Sequence, residues 1–444
     1  MSAINSARTL YRYRTYCYGC SNNIFVWDQT APTSCTVNSI QHAIDSNSTV
    51  IVDQITQSAN EVLNLPKTSF DELRVAERTR IIELKSIFGK SDLRDIYTTS
   101  NTGTITNNIG DPEYALTISA SNDYAELRSS ERGRYVAGLQ GEVGIACRLP
   151  ATLTGNQSIK IGLFDESNGL YYKYTSAGMY TCILRDGVET ATHQSSWTND
   201  PMDGSGPSRL NLDYTRGIIF LIQFTWYGFG NILFKFNTSA NGNIQNSWLA
   251  HTYSPQGMTS VKNPNLPITV AISAGGTASS PTSVYVAGRQ YSLLGKYEPI
   301  TRINAAYRFS RAINSTSTFL PIMSIQRKTG FLGTPVRAIQ CDFLATTDQL
   351  VQLRINTVLT GANFVNPAET NPNDTAVQVD QSATAVTGGI PIWMGVITGD
   401  AKSVASSLNI AYNLTEYQIL TVCSRALSAT NGSLGIVIRW TEEW

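Results

Sequence analysis

The sequence predicts an all-β protein, and three observations predict it. Aromatic residues make up 9% of the chain, with 21 Tyr and 7 Trp among its 444 residues; such side chains suit a pleated, half-buried surface. Short apolar or alternating runs recur along almost the whole length, separated by Asn, Thr, Ser, Gly and Pro turns. Only one stretch carries helical spacing. At 48.5 kDa the chain is long enough for several cores.

From Leu10 to about Asp53, the segments TLYRYRTYCYG, NNIFVWD and STVIVDQI predict three short strands of a small N-terminal unit. The exception follows. Between Ser69 and Phe88 the apolar residues Phe70, Leu73, Ala76, Ile81, Leu84 and Ile87 fall near helical spacing. Asp71 and Glu72 stand at the start and Gly89 at the C-cap position, so one helix is predicted here. Beyond Ser100, runs such as YALTISAS, GEVGIACRL, SIKIGLFD, GLYYKY, GMYTCILRDG and LPITVAISA recur at the intervals of a sandwich or jelly roll. The most apolar run, Gly217 to Asn237, reads as a central hairpin bent near Gly228 and Gly230, with Trp226, Tyr227 and Phe229 beside the bend. A second β block runs from Tyr307 to Trp444, after a linker at Gly295–Ile300. The expected organisation is an N-terminal anchoring unit (1–98), a jelly roll (99–298) and a C-terminal β-sandwich (299–444).

Charge narrows the partners. Lys+Arg and Asp+Glu are 33 each, and only 15% of residues are charged. A nucleic-acid binder carries a basic excess, so nucleic acid is not expected as a partner. No run is long and apolar enough for a membrane span, and none resembles a secretory leader. Seven scattered Cys read as reduced thiols in cores. A neutral surface rich in Ser, Thr and Asn suits a protein embedded in an assembly.

Candidate chemistry is sparse. His42, His193 and His251 are the only histidines, and none lies in a hydrolase or metalloprotease motif. No phosphate-cradling glycine loop is present, and no cofactor is expected. Cys17-x2-Cys20, Cys35 and His42 supply the ligand types of a tetrahedral zinc site; packed thiols, or a Cys17/Cys35 cross-strand pair, are the alternatives. Asp165–Glu166 and Asp200 with Asp203 are acidic pairs in loops. Adjacent strand residues point opposite ways, and Asp favours turns, so these read as turn formers. A calcium site at Asp200 and Asp203, or a polysaccharide depolymerase using Asp165, Glu166 or Asp200, is the active alternative. Tyr171, Tyr172, Tyr174 and Tyr180 are candidates to line a glycan-binding face, since aromatic rings stack on sugars; alternate members of a strand instead enter the core.

Several segments together resemble a family of virion structural proteins of tailed bacteriophages and large nucleocytoplasmic DNA viruses. They are Arg128–Tyr135, Ile161–Tyr172, Trp197 with Asp203–Ser208 and Asn211–Asp213, the hairpin Gly217–Gly230, and Asn263–Ile268. Upstream, Ser69–Glu77 with Thr79 and Ile81–Leu84 is similar to the family's pre-domain segment. Downstream, Leu359–Ala362, Val379–Gly389 and Ile438–Glu442 are similar to its C-terminal domain. Cys17 and Cys35-x6-His42 resemble its N-terminal unit, whereas Cys20 is particular to this chain. Where the family is expected to carry proline between Thr79 and Ile81, this chain has Arg80; a proline would force the chain before it to be extended. The resemblance covers most of the chain. It implies a concanavalin-like, lectin-like jelly roll followed by a β-sandwich, in a non-enzymatic fibre, tail-tip, baseplate or minor capsid component. Implied with it are a virion location after assembly in the host cytoplasm, other virion proteins as partners, and a homo-oligomer such as a trimer. The expected alternative is host attachment through a surface glycan.

Overall fold

The computed structural model describes residues 8–17, 22–28, 34–37, 40–57 and 78–443, apart from 241–243, 277–280, 368–370, 400–405 and 429–430; strands before residue 58 are described as backbone. Two compact units emerge, Met1–Val75 and Ala76–Trp444. In the first, β1 (Arg8–Cys17), β2 (Asn22–Asp28), β3 (Ser34–Val37) and β4 (Ile40–Gln57) form an antiparallel sheet in the order β2-β1-β4-β3. Cys17 stands opposite Ile44, and Cys35 opposite His42. Cys20 lies outside the described residues.

The second unit holds two sandwiches. In the first, an eight-stranded sheet runs β17 (Ile244–Tyr253), β16 (Ile232–Ala240), β15 (Ile218–Phe224), β10 (Gln140–Arg148), β19 (Thr282–Leu294), β8 (Tyr114–Ile118) and β7 (Thr104–Thr106). Its eighth member, β5 (Arg78–Leu84), pairs with the Arg289–Leu294 stretch of β19. The facing seven-stranded sheet runs β14 (Val188–His193), β13 (Gly178–Arg185), β12 (Asn168–Thr175), β11 (Ser158–Phe164), β18 (Pro267–Ser273), β9 (Tyr124–Arg132) and β6 (Asp95–Ser100). Every second residue of each strand enters the space between the sheets. Ile159, Ile161 and Leu163 of β11 thus meet one core with Val143 and Ile145 of β10 and Phe220, Ile222 and Phe224 of β15. Each such side chain removed from water contributes roughly 1.5–3 kcal/mol. Among the described residues the sandwich includes Arg78–Leu84, which lies within the unit expected over 1–98. The hairpin bend falls where expected, between β15 and β16, with Gly228 at φ +78°.

The helix expected over Ser69–Phe88 is corrected. Residues 69–77 lie outside the described residues, but Arg78–Leu84 is strand. Ile82 and Leu84 are buried while Glu83 between them is exposed, and Ile87 and Phe88, which a helix would bury, are 45% and 58% exposed. Pairing with β19 takes the apolar residues two apart, so tertiary contacts override a spacing that also fits a helix. Gly89, at φ +72°, ends a turn.

The C-terminal sandwich has its own core. One sheet orders β20 (Arg302–Ile313), β28 (Gly432–Glu442), β22 (Val336–Ala345) and β26 (Ser406–Leu414); the other orders β24 (Val377–Asp380), β21 (Leu320–Arg327), β27 (Ile419–Ala426), β23 (Gln349–Thr360) and β25 (Ala385–Ile397). Trp440 is fully buried at its centre, and its indole donates to Glu442 at 2.6 Å. Glu442, itself buried, also accepts from Thr375 and the Ala376 amide, which offsets the cost of placing a carboxylate inside. The two sandwiches meet through charge: Glu416 pairs with Arg128 and Arg132, and Glu443 with Arg134.

Candidate functional site

A groove of about 680 Å³ lies on the outer face of the seven-stranded sheet. Its central strands present small residues there: Gly162 on β11, Gly169 on β12 and Ala271 on β18. A side chain at Gly162 would meet the Leu170 carbonyl oxygen at 2.3 Å, so glycine lets β12 lie close and leaves the floor low. Tyr171, directly opposite Gly162, packs on Phe164 with ring centroids 5.0 Å apart. Larger side chains stand around this floor: Tyr124, Glu126 and Arg128 from β9, Lys160 from β11, Glu166 from the β11–β12 turn and Glu189 from β14.

Those charges are arranged in detail. Tyr171 is fully buried and donates its hydroxyl to Glu189, whose other oxygen is 2.7 Å from Lys173. Burial acts to raise Glu189, but Lys173, Tyr171 and Lys160 hold it below the ordinary carboxylate value. Asp165 follows the same logic. Burial opposes its charge, yet Arg132 at 2.8 Å and the backbone N–H groups of Ser167 and Asn168 keep it ionised. Tyr124 donates its hydroxyl to Glu126. Burial and the neighbouring Glu126 push that phenol well above its usual value, and Glu166 adds to the effect. Burial pushes the Cys182 thiol beneath the groove up to about 12, so it is a packed thiol and no nucleophile.

The four tyrosines expected to line a glycan face divide by strand alternation. Tyr172 and Tyr174 are corrected: they point between the sheets. Tyr172 sits among Phe220, Phe234 and Phe236, its hydroxyl donating to the carbonyls of Leu221 and Lys235, and Tyr174 donates to Ala151. Tyr171 faces the groove but lies beneath its surface, as floor. Tyr180 shares that outer face, half-buried against His193 with ring centroids 4.9 Å apart. The residues that the expectation passed over are Tyr124, Glu126 and Arg128. Their signal was the alternation Tyr-Ala-Glu-Leu-Arg, in which Ala125 and Leu127 are buried.

The acidic pairs behave as turn formers. Asp165 accepts from the backbone two and three residues on. Asp200, buried, accepts from Met202 and Ser208, and Asp203 from Ser205. His251 is buried and accepts from the Thr198 amide at 3.2 Å. Of the candidate zinc ligands, Cys20 lies outside the described residues, and Cys17, Cys35 and His42 are placed by backbone register. Among the described residues no cluster of three or more His, Cys, Asp or Glu is placed to hold a metal. Cys147, Cys182, Cys341 and Cys423 are free and buried.

No family model matches this chain, and no curated protein matches it. Solved structures give likenesses over about half of it. One comes from work on endo-acting O-glycanases with which members of the human gut microbiota initiate mucin breakdown: 10% identity over 49% of this chain and 100% of that one, TM-score 0.34. The β-glucanase of Bacillus licheniformis gives 12% identity over 49% and 99%, TM-score 0.29. Arcelin-5, a lectin-like defence protein from Phaseolus vulgaris, gives 8% over 48% and 97%, TM-score 0.30. The reading of the groove rests on this chain's own residues, and its all-β sandwich carries an open polar groove on one face.

Proposed function

We propose that this chain is a non-enzymatic carbohydrate-binding protein that lays a saccharide across the groove of its seven-stranded sheet. The observation that carries this reading is the groove's make-up: a half-exposed aromatic ring, Tyr124, beside carboxylate oxygens and the hydroxyls of Thr98, Ser158 and Ser273. An aromatic ring packs on the apolar face of a sugar, and ionised carboxylates accept strong hydrogen bonds from its hydroxyls. Catalysis is not part of the proposal. Hydrolysis of a glycosidic bond calls for a carboxyl held protonated, whereas Asp165 and Glu189 are both driven toward the charged form. The test is a glycan array followed by calorimetric titration. Saturable binding that weakens at least about tenfold in Tyr124→Ala supports the reading; no saturation by any glycan at millimolar concentration sinks it, and reducing-end release from a bound polysaccharide sinks its non-enzymatic part.

A second reading is supported at the C-terminal sandwich. Its edge strands expose apolar side chains: Ile303, Tyr307 and Phe309 on β20, and Ile390, Met394 and Val396 on β25. Exposed apolar side chains at sheet edges suit a subunit that packs against others, as the resemblance to virion structural proteins implies. The two readings combine in an attachment component of a virus particle, with the groove reading a host-surface glycan. Cryo-EM of intact particles tests this; well-resolved particles without density for the chain would overturn it.

A further inference from the structure

We propose that the groove selects its saccharide by charge, accepting uncharged or amine-bearing sugars and rejecting uronates, sialic acids and sulfated sugars; this rests on the carbohydrate reading above. Arg128 and Lys160 line the groove, and Lys173 and Arg132 pair with its lining carboxylates, which at first sight suits an acidic glycan, yet each already faces a carboxylate. Lys173 lies 2.7 Å from Glu189, and Lys160 lies 3.9 Å from the second oxygen of the same group. Arg128 faces the fully buried Glu416 at 3.6 Å. Arg132, with its side chain only 7% exposed, is shared between Asp165 and Glu416. An incoming anion would have to displace one of these pairs, leaving a half-buried carboxylate without its partner.

The acceptors are different. Glu126 takes one hydrogen bond from Tyr124 and pairs with no lysine or arginine among the described residues. Glu166 is exposed and likewise has no cationic partner among them. Both line the groove together with Tyr124, the ring on which a sugar would stack. Among the groove's lining residues the carboxylates of Glu126, Asp165, Glu166 and Glu189 outnumber the cations Arg128 and Lys160, and Lys173 and Arg132, outside the lining, pair with Glu189 and Asp165. A protonated amine gains a charge-assisted hydrogen bond there; a neutral sugar keeps its hydroxyl contacts; a sulfate or carboxylate meets like charge and pays desolvation with no return.

The full chain, tested at about pH 6 where amines are protonated and carboxylates ionised, is applied to an array pairing neutral, amine-bearing and acidic forms of the same backbones. Hits should concentrate on neutral and amine-bearing forms. In titration the amine form should bind about tenfold more tightly than the sulfated form, and added salt should narrow that gap. Glu126→Gln together with Glu166→Gln should weaken binding of the neutral form as well, but bring the ratio of amine-form to sulfated-form affinity down to about one. Acidic glycans as the best ligands, or an unchanged preference in the double variant, would overturn the proposal and leave the carbohydrate reading standing. Failure of every glycan to bind would overturn both.

Discussion

At the scale of single residues, two carboxylates tie stability to pH in opposite directions. Asp165 is held below its ordinary 3.8 by Arg132 and two backbone N–H groups, against the pull of burial. Its stabilisation is therefore present above 3.8 and is lost as pH falls through the lower, folded value. Glu131 is pushed above 4.5 by burial, which outweighs Arg134 and Arg327. It therefore penalises the folded state at neutral pH, and the penalty fades as pH falls through the raised folded value toward 4.5. Urea titrations at pH 7 and about pH 4 separate them. Asp165→Asn should lose stability at both, because pH 4 still lies above the folded value of Asp165, whereas Glu131→Gln should gain at the higher pH and little at the lower. Tyr172 offers a plainer test. Removing its ring from between Phe220, Phe234 and Phe236 should cost about 3–5 kcal/mol in denaturation of Tyr172→Ala.

At the scale of elements, the β11–β12 pair sets the depth of the groove. Because a methyl group at Gly162 would lie 2.3 Å from a backbone oxygen, Gly162→Ala forces the strands apart, at about 1–3 kcal/mol by thermal or chemical unfolding. β5 makes the complementary point, since Ile82→Ala should cost about 2–5 kcal/mol if Arg78–Leu84 is a core-facing strand, and far less were it a peripheral helix. Strands covered on both faces, such as Gln140–Arg148 and Ile218–Phe224, announce themselves as apolar runs. Tyr124–Arg132 does not, because every second side chain is polar and faces the groove. That is also why the site was barely legible: its residues come from all seven strands of the sheet and the turns between them, and only sheet pairing brings them together. The tyrosine-rich β12 was conspicuous in composition, but alternation sends Tyr172 and Tyr174 inward and leaves Tyr171 as floor. The spacing around Ser69–Phe88 misled for the opposite reason, since short apolar runs fit periods of two and of 3.6 alike.

At the scale of the whole second unit, the two sandwiches share ions more than apolar surface. Glu416 is buried against Arg128 and Arg132, its backbone N–H donates to Ser130 at 3.3 Å, and Asn265 donates to Gly333 at 3.1 Å. Breaking a buried pair leaves a charge uncompensated, so Glu416→Ala should cost about 3–5 kcal/mol. Calorimetry should then show the single transition of the intact unit split into two. The same clamp has a practical corollary for anyone who dissects this chain. A fragment ending at the Gly295–Ile300 linker would lose Glu416 and Glu443, strip Arg128 and Arg134 of their carboxylate partners and leave Arg132 with Asp165 alone. Such a fragment would stick to heparin columns, nucleic acid and sulfated glycans in low salt, and would counterfeit a polyanion receptor through a surface that the intact chain covers with Glu416 and Glu443.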